Sequence, residues 1–127
     1  MIKGLHRILI VEDNEEHVAL DKEYLPEDEF YVDSAPDKLS ALEKLENESY
    51  DLVVLDYKLP DGNGIELLIE MNALGIDIPV ILLTNYDEPD LSFEARKLGA
   101  VDYWVKGYQY FTQLRERILE NLDSLEQ

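Results

Sequence analysis

Leu52-Val53-Val54-Leu55-Asp56 is the stretch that decides the fold. Its apolar residues fall on both faces of an extended chain, so a strand here must be covered from above and below. That is the condition of a parallel sheet flanked by helices. Moving outward, Ile8 to Val11 and Val80 to Leu83 have similar length and the same richness in branched residues. Val101 to Val105 repeats the pattern more weakly, broken by Asp102, and Phe30 to Val32 reads as a fifth strand at the sheet edge.

Between these runs the apolar spacing turns helical. Leu39, Leu42 and Leu45 form one series, and Ile65, Leu68 and Ile69 a second. Leu91, Ala95 and Leu98 form a third; Phe111, Leu114, Ile118, Leu122 and Leu125 form a fourth. Asn14 to Leu25 is expected to be helical with less regular spacing, and Pro36, Gly75, Pro79 and Gly99 read as start and stop signals. Strand and helix alternate five times. With right-handed crossovers this predicts an α/β fold, a (βα)5 doubly wound parallel sheet in a three-layer α/β/α sandwich. The 127 residues are expected to form one domain, with a core at about 5–122. The tail from Glu120 to Gln127 is expected to prolong the last helix as a fraying end or a linker.

No apolar stretch approaches the ~20 residues of a membrane helix, and Met1 to Arg7 leads into a short apolar run without a small-residue cleavage site. The expected location is the cytoplasm. The lack of cysteine excludes disulfides, thiolate metal sites and cysteine nucleophiles, so any metal must be held by oxygen or imidazole. A formal net charge of -18 argues against a surface for nucleic-acid phosphates. Solvated helix faces account for most of that charge, and only the placement of the carboxylates is informative.

Ligands of an open parallel sheet bind beyond the carboxyl ends of its strands. There the first run ends in Glu12-Asp13, the third strand in Asp56, the fourth in Thr84 and the fifth in Lys106. Three carboxylates gathered at one edge repel one another, and a divalent cation relieves the conflict. Oxygen donors with room for water and phosphate oxygens favour magnesium over zinc. Phosphoryl transfer asks for in-line positioning and neutralisation of oxygen charge, which a magnesium ion, a lysine and a hydroxyl donor supply. Asp56 is then the natural nucleophile, forming an acyl phosphate.

Ile8-Leu9-Ile10-Val11-Glu12-Asp13-Asn14, the run from Leu52 to Gly62, Ile81-Leu82-Leu83-Thr84 and the run from Gly99 to Lys106 together resemble a response-regulator receiver domain, CheY-like, over nearly the whole chain. The resemblance implies a flavodoxin-like sheet in the order 2-1-3-4-5. It implies a two-component phosphorelay switch in which Asp56 accepts a phosphoryl group from a sensor histidine kinase, a histidine phosphotransfer protein or a small acyl phosphate. Glu12, Asp13, Asp56 and the backbone carbonyl of Lys58 would hold Mg2+, with Mn2+ as an alternative. Thr84 and Lys106 would contact the phosphoryl oxygens, and Tyr103 would be the switch aromatic. The surface of the fourth helix, fifth strand and fifth helix would then regulate a partner or an attached output domain, or serve a homodimer. No direct nucleic-acid or membrane contact is implied. Nor is a conventional enzyme, beyond self-phosphorylation from small phosphodonors and slow self-dephosphorylation.

The chain departs from that pattern after its lysine, where proline is usual and Gly107 stands. A cis bond before glycine costs ~3 kcal/mol more than trans, so a changed loop is expected. Asn85 takes the place of a small residue and Tyr86 follows it. Lys58 and Tyr86, two positions after Asp56 and Thr84, are expected to shield the phosphoryl group and slow its hydrolysis. Tyr108 and Tyr110 are candidates for a docking or dimer face, and His6 and His17 read as solvated. Two rival readings keep the fold's chemistry-bearing edge. A receiver-like binding module acting without phosphorylation would account for Gly107 and Asn85. A magnesium-dependent aspartyl-phosphate phosphatase of the haloacid-dehalogenase kind would need a second aspartate where Lys58 stands. Asp61, Asn63, Gly64 and Glu70 fall at calcium-loop offsets, but Leu59 occupies the first ligand position.

Overall fold

The apolar runs become the strands of one parallel sheet in a computed structural model that describes residues 4–125. The strands are β1 (His6–Val11), β2 (Phe30–Ala35), β3 (Leu52–Asp56), β4 (Val80–Thr84) and β5 (Asp102–Val105), in the order 2-1-3-4-5. This is the flavodoxin-like arrangement, with β2 at an edge as its weak pattern implied. Val11 pairs with Leu55, Asp56 with Leu83 and Thr84 with Val105, so the carboxyl ends of the four remaining strands are nearly level. That register delivers Glu12, Asp56, Thr84 and Lys106 to one edge.

Alternate residues of each strand feed opposite cores. Leu9, Val11, Val53, Leu55 and Leu82 pack on one face, with Ala41, Leu67, Met71 and Ala95 from the helices. Ile8, Ile10, Val54 and Ile81 pack on the other, with Leu25, Trp104, Leu114 and Ile118. A strand serving two cores must be apolar at every position, which is why the runs are unbroken.

The helices are α1 (Glu15–Glu23), α2 (Lys38–Asn47), α3 (Gly64–Ala73), α4 (Pro89–Lys97) and α5 (Leu114–Leu125), the last entered through a 3-10 turn at Tyr110–Gln113. Asn14, Asp37 and Asn63 accept backbone N–H bonds at the first three N-termini, and Pro89 opens the fourth. Gly75 and Gly99 end α3 and α4 at φ 72° and 102°, a region where a side chain is strained.

Three residues of the helical apolar series lie outside the core: Leu39 is 65% exposed, Ile69 49% and Leu125 50%. The stripe of α2 runs through Ala41 and Leu45, and that of α3 through Leu67, Leu68 and Met71. Leu39 and Ile69 project beside those stripes. An antiparallel ribbon of Lys58–Leu59 with Gly62–Asn63, which the spacing did not announce, leads from β3 into α3. No helix among the described residues is long and apolar enough to cross a membrane. The expected helical tail is observed to Leu125; its last two residues, like Met1 to Lys3 of the leader reading, lie outside the described residues.

Candidate functional site

Glu12 and Asp13 lie just past β1, Asp56 closes β3, Thr84 closes β4 and Lys106 lies just past β5. Carboxylate oxygens of Glu12, Asp13 and Asp56 come within 4.8 Å of one another. Glu12 and Asp56 are buried, whereas Asp13 is exposed at the mouth. The Lys106 ammonium lies 3.0 Å from Glu12 Oε1 and 3.5 Å from Asp56 Oδ1, with its side chain only 6% exposed.

One ammonium cannot balance three carboxylates. Burial pushes the Asp56 carboxyl up to about 7 against the pull of Lys106, and the neighbouring Glu12 pushes the same way. Burial acts on Glu12 too, but its hydrogen bond with Asp56, the Lys106 charge and His17 together bring it below the usual carboxylate range. Burial works against charging either carboxyl, and the Lys106 ammonium works in favour of charging both. A cluster of hard oxygen donors, partly buried and open on the Asp13 side, fits a small divalent cation.

Thr84 is buried, and its Oγ1 accepts a hydrogen bond from the Tyr86 backbone at 3.2 Å. The Tyr103 hydroxyl donates to the Tyr86 carbonyl at 3.1 Å and accepts from the Glu88 N–H at 3.2 Å. Both side chains are therefore tied to the segment between β4 and α4. Lys58 and Tyr86 also meet, the ammonium 5.7 Å from the ring centre, and Asn85 is exposed.

The peptide bonds of the described residues are trans, Gly107 to Gln109 are exposed, and Gln109 adopts φ 58° before the 3-10 turn. The ammonium nevertheless reaches both carboxylates. Tyr110 does not belong to a docking face: it is buried, because its hydroxyl donates to Asp21 Oδ1 at 3.0 Å and its ring packs on Trp104. Tyr108 is 95% exposed. Reading His17 as simply solvated needs correction, since its Nδ1 lies 3.2 Å from Glu12 Oε1 and its side chain is 43% exposed. The Asn14 cap places that ring, three residues on, against the strand end. Asp21 escaped notice, although it stands three residues after Val18 on one face of α1, which marks it as core-facing. Asp61 and Asn63 are capping residues, Asp61 accepting from the Lys38 and Leu39 backbones and Asn63 from Glu66.

A sheet of this order with a carboxylate triad and a lysine at its carboxyl edge defines a class of phosphoacceptor switch. The chain belongs to the response regulator receiver domain family, which it matches over residues 8–119. It is 33% identical over 116 residues to sporulation initiation phosphotransferase F of Bacillus subtilis, covering 91% of this chain and 93% of that protein. It is 36% identical over 99 residues to the transcriptional regulatory protein ZraR of Klebsiella oxytoca, covering 78% of this chain but only 22% of that longer protein. Among solved structures it is similar to a CheY-like receiver domain protein from Methanospirillum hungatei JF-1, with TM-score 0.87, 34% identity and coverage of 97% and 98%. It also matches the response regulator TrrA of Thermotoga maritima, solved with Mg2+ and BeF, at TM-score 0.78, 32% identity and coverage of 92% and 99%. The chain's place is in two-component, phosphorelay signalling, and partners of its family are histidine kinases and phosphotransferases.

Proposed function

We propose that this protein is a phosphorylation-dependent signalling switch that accepts a phosphoryl group on Asp56. The observation that carries the reading is Lys106 seated 3.5 Å from Asp56 in a pocket shared with Glu12 and Asp13. An Asp56 carboxylate oxygen attacks the phosphorus of a phosphohistidine on a sensor kinase or phosphotransfer protein. The O–P bond forms as the N–P bond breaks, and the electron pair leaves with the imidazole nitrogen. Lys106 and the Thr84 hydroxyl stabilise charge on the phosphoryl oxygens. Glu12, Asp13, Asp56 and the Lys58 backbone carbonyl would hold Mg2+, or Mn2+ in its place, which when bound neutralises the same charge.

Phosphorylation brings about −1.5 to −2 of charge beside Thr84. Thr84 turns toward it and releases the Tyr86 backbone, and Tyr103 gives up its bonds to Tyr86 and Glu88 and moves inward. The α4, β5 and α5 surface then engages a downstream protein, an output domain or a second copy. Lys58 and Tyr86 slow hydrolysis of the acyl phosphate. The chain acts as one receiver unit with its core at about 5–122, in the cytoplasm, and is no conventional enzyme. The 33% identity to a phosphotransferase over 116 residues and the Mg2+ and BeF held by TrrA support this reading. The reach of Lys106 despite Gly107 favours it over an unphosphorylated module.

The test is intact mass after incubation with Mg2+ and phosphoramidate or acetyl phosphate, comparing wild type with Asp56→Asn. A phosphoryl-sized gain in wild type alone supports the reading. No gain in wild type, or an equal gain in both, overturns it.

A further inference from the structure

Lys106 leads into an exposed loop, and a Cβ added at Gly107 would meet nothing within 4 Å. The Lys106 backbone is held by its N–H donating to the Thr84 carbonyl at 2.8 Å, and the ammonium is nearly removed from water and aimed at Glu12 and Asp56. The ring of Tyr110 lies on it, its centre 5.2 Å from Nζ. Trp104 and Phe111 hold that ring edge-on, each at 5.9 Å. Its hydroxyl donates to Asp21, a carboxylate of α1 that is 1% exposed. The ring is thus fixed at its faces and its tip.

We propose that Tyr110 is a positioning residue whose working part is its ring, which is held against Trp104 and Phe111 and holds the Lys106 ammonium toward Asp56. An ammonium within about 6 Å of a ring centre is attracted to the electron-rich face. A phenol donating to a carboxylate is richer in electrons still. The two carboxylates and the ring restrict the ammonium further than the Thr84-bound backbone alone would. The ring also excludes water from the side of the ammonium away from the site, so its charge is less screened where phosphoryl oxygens gather.

This inference rests on the Asp56 reading only for its rate measurement; a second measurement stands without it. The proton–carbon NMR signal of the Lys106 ε-methylene, assigned by its loss in Lys106→Arg, reports the ring directly. In wild type it is expected upfield, shifted by the ring current. Tyr110→Leu is expected to return it to the value of an ordinary lysine and to slow labelling by phosphoramidate about five- to tenfold. Tyr110→Phe keeps the ring between Trp104 and Phe111, so it is expected to keep the shift and a rate within about twofold of wild type. A Tyr110→Leu protein with the wild-type shift or rate, or a Tyr110→Phe protein indistinguishable from it, overturns the proposal. Should Tyr110→Leu fail to fold, the absence of cross-peaks between the Lys106 ε-protons and the Tyr110 ring in wild type overturns it equally. Wild type that takes no label refutes the Asp56 reading, while the shift comparison still decides the role of Tyr110.

Discussion

Replacing Asp21 by asparagine should stabilise the protein, and by more at high pH than at low. Burial raises the Asp21 carboxyl to about 6 from its ordinary 3.8, opposed by the Tyr110 hydrogen bond and by the charges of Lys106 and His17, and reinforced by Glu12. The folded value lies above the unfolded one, so between them the folded chain keeps a proton that the unfolded chain has lost. The contribution of Asp21 to stability therefore falls as pH rises from about 4 to about 6, and is constant above. Applying these two values, the penalty for the aspartate is about 1.6 kcal/mol at pH 5 and about 3 kcal/mol at pH 8. Asparagine can still accept from Tyr110 and does not titrate. Whatever its own packing costs, they are the same at both pH values and cancel. Urea unfolding of both proteins at pH 5 and pH 8 should show the advantage of Asp21→Asn growing by roughly 1.4 kcal/mol. An advantage that is flat across that range would refute the assignment of a raised, buried carboxyl at this position.

Three further outcomes follow from contacts at the site. Lys106→Met should cut the phosphoramidate labelling rate about 100-fold at fixed Mg2+, the usual loss when one preorganised charge donor is removed, and a rate within threefold of wild type would contradict the role given to Lys106. Gly64→Ala should lower stability by about 1–3 kcal/mol in urea unfolding, because its Cβ would sit 2.7 Å from Leu82 Cδ1 and 3.1 Å from the Asp56 carbonyl oxygen. Unchanged stability would mean that α3 backs away from β3 at little cost. Tyr86→Ala removes the ring beside the Lys58 ammonium and should shorten the acyl-phosphate lifetime roughly two- to fivefold, read by loss of the phosphorylated mass with time. A lifetime equal to or longer than that of wild type would sink the shielding role.

The strands and the site were legible for one physical reason. A strand covered on both faces is apolar throughout, so the first polar residue beyond it stands at the sheet edge, and Glu12, Asp56 and Lys106 declare themselves by position. The caps at Asn14, Asp37 and Asn63 involve partners two or three residues away, but of these only Asn14 stands at a helix start that the spacing marked. Asp21 left no mark that was heeded. A buried aspartate and a surface aspartate look alike in sequence when the hydroxyl that satisfies the buried one is 89 residues distant. Tyr110 is a parallel case, since an aromatic beside an exposed loop fits a docking face until the acceptor for its hydroxyl is found.

Gly107 shows how far neighbouring residues can mislead about a side chain. The loop it opens has trans peptide bonds and Gln109 at φ 58°. It did not imply a displaced lysine. The ammonium is held by charges at 3.0 and 3.5 Å and by a ring at 5.2 Å, contributed by β1, β3 and the turn before α5. These contacts act on the end of a long, flexible side chain whose own backbone is fixed by its N–H bond to the Thr84 carbonyl at 2.8 Å. A lysine site can therefore survive loss of the residue that usually aims it, provided that the surrounding elements supply the aim.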